Sequence, residues 1–171
     1  VKQIPGVHLH IYGHTANRSG RIDVSLYTHY SSTADHAARG ADLSGLGAIV
    51  AQSNNYDGYA IKEAAKLLNM DPAKRKYLFV ISDGLPHGEG YGGDPAEKHV
   101  TSVCAFVRER LRIGLYAFAV GAHRGEMGNF EQQYGKANTV FVSHVAACLP
   151  KIVRFLRKAL QREKKLVDVV A

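Results

Sequence analysis

Tyr77-Leu78-Phe79-Val80-Ile81-Ser82-Asp83-Gly84-Leu85-Pro86 is the stretch whose reading decides the fold. Five apolar residues follow one another without alternation, the pattern of a strand buried on both faces of a sheet. Ser, Asp, Gly and Pro then punctuate a turn. A sheet buried on both faces needs helices above and below it, and the flanking sequence supplies them. Upstream, Asp57 to Leu68 sets Ile61, Ala64, Ala65 and Leu68 at helical spacing, after the polar cluster Ser53-Asn54-Asn55. Downstream, Asp94-Pro95-Ala96-Glu97 reads as a helix start with a capping acid, a first-turn proline and a reciprocal glutamate. The helix it opens would bury Val100, Val103, Cys104, Val107 and Leu111.

Further on, Gly114 to Val120 is a second apolar strand and Thr139 to Val142 a short last one. Leu149, Ile152, Val153, Leu156 and Leu160 form one stripe of a terminal helix. Before all of this, Val7 to Tyr12 and Ile22 to Tyr27 alternate apolar and polar residues around Asn17-Arg18-Ser19-Gly20, which predicts an antiparallel hairpin. Thr28 to Ser44 has no sustained period and reads as a loop or a weak helix. The expected fold is therefore α/β: a three-layer, Rossmann-like arrangement with a mainly parallel sheet, one antiparallel edge strand and helices on both faces.

The 171 residues suffice for one domain and not for two ordinary ones. The formal charge of +7 is concentrated in Lys74-Arg75-Lys76 and in the run from Arg154 to Lys165. No stacking series or nucleic-acid module accompanies it, so a solvated helix face is preferred over nucleic-acid binding. Cys104 and Cys148 lie in apolar helical patterns without metal or disulfide spacing, as expected for reduced core thiols of a cytoplasmic protein. No apolar run reaches membrane-spanning length.

In open α/β sheets ligands bind beyond the carboxyl ends of the strands. Two loops qualify, Ser82 to Pro86 and Ser53 to Gly58. A carboxylate there is costly unless paired or metal-bound, and Ser, Asn and Asp oxygens suit Mg²⁺ or Ca²⁺. Taken singly, Asp83 could cap a turn and Asn55 or Asp57 a helix. Taken together, they favour a cation. His8, His10 and His14 are explained as the polar face of a strand, while His87, beside Asp83, is kept as a rim candidate with Ser82. Gly88 to Gly93 contains an acid and no lysine, and reads as a flexible rim, not a phosphate cradle. No nucleophile elbow or phosphate loop of the Gly-x-x-x-x-Gly-Lys type occurs.

These landmarks resemble the von Willebrand factor A family. They are the hairpin from His8 to Thr15, Asn55-Tyr56-Asp57-Gly58, Ser82-Asp83-Gly84-Leu85-Pro86 with Gly90-Tyr91-Gly92-Gly93-Asp94 downstream, and Gly114 to Val120. They look most like the branch found in the cobaltochelatase CobT subunit and the nitric-oxide-reductase activation protein NorD. The resemblance implies a divalent cation, Mg²⁺ or else Ca²⁺ or Mn²⁺, held by three loops. Asp83 matches the third loop, and the second-loop position falls within Asn55 to Asp57, where there is no threonine. The family's first loop, Asp-x-Ser-x-Ser, is not found; Asp23-Val24-Ser25 lies inside an alternating strand. The ligand set is thus incomplete in this chain. Residues 1–165 are expected to form the domain without its first strand and most of its first helix, with 166–171 as a tail. An upstream segment or another polypeptide would fill that central slot.

The implied function is cation-dependent binding of a protein that offers an acidic side chain, an AAA+ ATPase subunit of a metal chelatase. The chain would have no catalytic activity of its own and would act as an accessory subunit. The alternatives are a metal-independent assembly domain, or a phosphotransfer or hydrolytic enzyme using the same crevice.

Overall fold

The apolar run from Tyr77 to Ile81 becomes a strand at the flank of a parallel sheet. A computed structural model describes residues 7–19, 21–31, 54–155 and 157. In chain order the elements are β1 (His10–Ser19), β2 (Arg21–Ser31), α1 (Asp57–Met70), β3 (Tyr77–Ser82), α2 (Gly93–Glu109), β4 (Gly114–Val120), α3 (Met127–Tyr134) and β5 (Thr139–Val142). A last helix, α4, covers 148–155. β3, β4 and β5 form a three-stranded parallel sheet in that order, with Tyr77 opposite Gly114 and Ala117 opposite Thr139. Successive side chains of a strand point to opposite faces, and β4 divides accordingly. Leu115, Ala117 and Ala119 enter one core with Ile61 and Ala65 of α1, Val100, Val103, Cys104 and Val107 of α2, and Phe130 and Tyr134 of α3. Tyr116, Phe118 and Val120 enter the other, against Cys148, Ile152 and Phe155 of α4. Helices therefore cover both faces, the α/β arrangement that the strand-helix alternation implies.

Two local expectations are corrected. In α4 the buried face is Cys148, Ile152 and Phe155, while Leu149 and Val153 are 67% and 40% exposed. The Phe155 ring lies 4.7 Å from that of Tyr116, so the side of the helix that meets the sheet carries Phe155 beside Ile152. Leu160 and the side chain of Leu156 lie outside the described residues, as do the tail and most of the segment from Thr28 to Ser44. In α2 the residue before the helix is Gly92 and no side chain caps it. Glu97, expected to reach back to the cap, instead accepts two hydrogen bonds from Asn129 Nδ2 of α3 at 2.9 and 3.0 Å.

β1 and β2 form their own antiparallel sheet, and among the described residues they share no ladder with β3. β1 continues through Gly13 to Ser19, past the expected end at Tyr12, because its pairing with β2 holds as far as Ser19 opposite Arg21. The flank of β3 away from β4 is the one at which the family resemblance puts a further strand. Ile81, on β3, is 49% exposed.

The hairpin is held along α1. His8 Nδ1 lies 2.9 Å from Asp71 Oδ2 just beyond the carboxyl end of α1, and His14 Nε2 lies 3.7 Å from Asp57 Oδ1 at its amino end. Six strand residues advance about 20 Å, and the 14 residues of α1 about 21 Å, so the two match in length. β1 thus runs opposite to α1 and delivers its carboxyl end to the same edge as that of β3.

Candidate functional site

Three segments are stitched together at that edge. Ala16 of β1 bridges Asn54, and Asn54 Nδ2 donates to the Ala16 carbonyl at 3.4 Å. Asn55 and His87 exchange backbone hydrogen bonds of 2.7 and 3.0 Å, and Gly88 and Tyr91 do the same at 2.6 and 3.0 Å. Backbone pairing therefore fixes the loop after β3 onto the loop before α1. Gly88 permits this closeness, since a Cβ there would lie 2.7 Å from the Tyr56 ring.

Aromatic residues brace the edge from behind. Tyr56 is fully buried and its hydroxyl donates to the Glu89 carbonyl at 2.7 Å. Tyr91 packs edge-on against Tyr56, accepts from the Gly58 N–H at 3.2 Å and lies 2.9 Å from His99 Nδ1. A Cβ on Gly58 would stand 2.5 Å from the His99 ring, so only glycine fits between Asp57 and this pair. Burial raises the pKa of Tyr91 and keeps it a neutral phenol. The segment from Gly88 to Gly93, expected to be a flexible rim, is thus anchored through Tyr91.

Asp57 is the unusual group. It occupies the first turn of α1 and is 2% exposed. Burial, and then the negative charge of Asp83, push its pKa up to about 7. Its neighbours compensate it weakly: Asn55 Nδ2 is 3.5 Å from Oδ2, and the half-exposed His14 ring is 3.7 Å from Oδ1. Burial lowers the pKa of His14, which makes the ring a poor permanent counter-charge. Neither Asn55 nor Asp57 caps α1; the residue before the helix is Tyr56, whose side chain makes no cap hydrogen bond, and the Gly58 N–H of the first turn is taken by the Tyr91 hydroxyl instead.

Asn55 and Asp57 are in contact, and Asp83 lies near enough for its charge to act on Asp57 while its own side chain is exposed. Ser82 Oγ donates to the Gly84 carbonyl at 2.8 Å and accepts from the Gly84 N–H at 3.4 Å. Ser82, and not Asp83, therefore closes the turn, which leaves the Asp83 carboxylate unused by it. His87 is exposed and contributes its backbone to the bridge with Asn55. His14, Tyr91 and His99 escaped the sequence reading. Alternation had absorbed His14 into a polar strand face, and the surrounding glycines hid Tyr91.

The donor chemistry fits a hard cation in part. A buried carboxylate, a second carboxylate and an amide oxygen are the ligand types that Mg²⁺ and Ca²⁺ take. Among the described residues no three His, Cys, Asp or Glu side chains converge on one point, so they offer part of a coordination shell.

Comparison with known families gives a match over most of the chain. A family model described as the cobalamin biosynthesis protein CobT VWA domain matches residues 9–156. No curated protein and no solved structure matches the chain. Among the described residues no helix is long and apolar enough to cross a membrane.

Proposed function

The chain belongs to the CobT VWA domain family, and on that premise we propose that it is a protein-binding domain that captures an acidic side chain of its partner through a divalent cation at the Asp57–Asp83 edge. The observation that carries the reading is Asp57, a nearly inaccessible carboxylate beside a second acid, without a strong hydrogen bond or a permanent positive partner among the described residues. Such a charge is unfavourable until a cation neutralises it. A bound Mg²⁺, or Ca²⁺ or Mn²⁺ in its place, would supply an open coordination position for a partner carboxylate. Asp57 and Asp83 would hold it, with Asn55 as a further oxygen donor, and Ser82 and His87 would form the rim. The backbone bridge between Asn55 and His87 keeps the two loops in register. Tyr91 and His99 hold the first turn of α1 in place from behind.

The partner we propose is an AAA+ ATPase subunit of a cobalt-inserting chelatase, met in the cytoplasm, with this chain as its non-catalytic accessory. Asp83→Ala in the intact protein should abolish Mg²⁺-dependent capture of that subunit. The melting temperature in EDTA should stay within about 2 °C, the margin of a neutral surface substitution. Undiminished capture, or collapse of the melt in EDTA, would refute the assignment. The incomplete convergence of ligands favours one rival, a metal-independent assembly domain. Capture that is equal in Mg²⁺ and in EDTA would select it.

A further inference from the structure

We infer that His99 is a pH-sensitive latch: as a neutral ring it pins the loop between β3 and α2 to the first turn of α1 through Tyr91, and protonation of the ring releases that pin. The device needs no cation. Tyr91 Oη lies 3.2 Å from the Gly58 nitrogen and 2.9 Å from His99 Nδ1. The Gly58 N–H can only donate, so the phenol oxygen accepts there and its own hydrogen must go elsewhere. Among the described residues His99 Nδ1 is the acceptor in reach of that hydrogen. An unpartnered buried hydroxyl is costly. Tyr91 therefore donates to Nδ1, which fixes His99 as the neutral tautomer with its hydrogen on Nε2.

Protonation reverses one end of this chain of hydrogen bonds. An imidazolium carries hydrogens on both nitrogens, so Nδ1 becomes a donor facing a donor, and the phenol must turn from His99, from Gly58 or from both. There is little room to adjust in place. The Tyr59 ring lies 4.5 Å from that of His99 and 5.5 Å from that of Tyr91. A Cβ on Gly58 would stand 2.5 Å from His99 Nδ1 and 2.8 Å from Tyr91 Oη. The pieces fit together in one protonation state. What opens is local, because Tyr56 still holds the Glu89 carbonyl and Asn55 still exchanges backbone bonds with His87.

The surroundings favour the neutral ring. Burial, and then the charge of Lys62 on α1, lower the pKa of His99 below its usual 6.5. The remaining groups around it are the phenols of Tyr59 and Tyr91, and the Asp57 charge acts on the latter. On its own helix Lys98 is exposed and Glu97 is engaged by Asn129. Among the described residues no carboxylate pairs with the ring. A histidine whose folded value is depressed contributes stability that is present above its unfolded value and lost as pH falls through the folded one. The latch is thus closed at neutral pH and opens on acidification.

The test uses the intact, ¹⁵N-labelled protein in EDTA. Long-range ¹H–¹⁵N magnetic resonance reads the imidazole directly, without reliance on a variant's folding: at about pH 8 His99 should carry its hydrogen on Nε2, and it should titrate below 6.5. As it takes its proton, amide protection corrected for intrinsic exchange should fall about tenfold or more at Gly58, Gly88 and Tyr91. Protection at Val103 and Val107 of α2 should hold. Protonation of Asp57 on acidification removes a buried charge and favours the fold, so it works against the fall. His99→Asn sets an amide oxygen where Nδ1 stands and does not titrate, so its three amides should keep level protection across the range. A hydrogen on Nδ1 at the alkaline end, or protection unchanged while His99 titrates, would overturn the latch. So would a fall that persists in His99→Asn, or an equal fall at Val103 and Val107, which would mean that the whole domain opens.

Discussion

The parallel sheet and the hairpin are held by different means. β4 lies between two neighbours and two helical layers, and most of its side chains are buried. The hairpin has a long ladder, yet of its described side chains only Thr15 and Ala16 are buried. It is fastened at the two ends of α1, by His14, Ala16 and Asn54 at one and by His8 at the other. Stability therefore resides in the parallel half, and the candidate site occupies the seam where the hairpin meets it. Strand composition alone does not decide burial. β3 is at least as apolar in sequence as β4, yet it is half-buried for most of its length because its second flank has no neighbour among the described strands.

The largest expected effect tests that division. Phe118 is fully buried, with ring contacts to Phe79 and Phe155 at 6.2 and 6.3 Å. Phe118→Ala should cost about 3–5 kcal/mol, whereas Leu26→Ala in the half-buried face of the hairpin should cost about 1–2 kcal/mol. Urea unfolding of both variants checks it. Equal losses would mean that the hairpin belongs to the same packed unit.

The parallel half was legible because burial on two faces writes itself into sequence as continuous apolar runs: Tyr77 to Ile81 and Gly114 to Val120 were found nearly to the residue. The terminal helix was misread because Leu149 and Val153 share its apolar side without touching the sheet, and only the ring of Phe155 reveals which face does. At the site, Asn55, Asp57 and Asp83 stood out as oxygen donors at strand ends. Nothing in sequence spacing could foretell that Asp57 would be the buried one. That follows from the packing of Tyr56, Tyr91 and His99 around Gly58, which brings together residues far apart in the chain.

The seam yields the next effect. Asp57 is raised from 3.8 to about 7, first by burial and then by Asp83. The native state therefore binds more protons than the unfolded chain between those values. Stability without a divalent cation should fall as pH rises from about 4 to about 7 and level off above that. A shift of that size corresponds to at most about 4 kcal/mol. Asp57→Asn should flatten the slope and melt higher than wild type at pH 8 in EDTA, yet gain nothing from added cation. A wild-type slope that survives in the variant would show that the carboxylate is compensated by some other means.

A smaller effect separates bracing from binding. Tyr91→Phe keeps the ring between Tyr56 and Tyr59 but removes the acceptor of the Gly58 N–H and the partner of His99. The loss should be about 1–2 kcal/mol. Because the first turn of α1 would then be free to shift, cation affinity measured by calorimetry should fall with it. Lost stability with unchanged affinity would confine Tyr91 to packing.

The smallest effect lies at the far end of α1 and bears most directly on how separately the two regions behave. Burial alone would raise the pKa of Asp71, but the Ala73 N–H at 2.7 Å, the His8 ring at 2.9 Å and the charge of His10 outweigh it, and the net shift is downward. A depressed carboxylate contributes stability that is present above its unfolded value and is lost as pH falls through the folded one. The pair is solvent-screened on the histidine side, so Asp71→Asn should cost less than about 1 kcal/mol, a change that global unfolding would barely register. Amide exchange resolves it. With its lower fastening gone, β1 should exchange faster near His10 and Ile11, with little change near Ala16 and none in β4. The difference from wild type should disappear under acid conditions that protonate Asp71. Faster exchange in β4 by the same factor would show that hairpin and sheet open together, and that the seam between them is no boundary of stability.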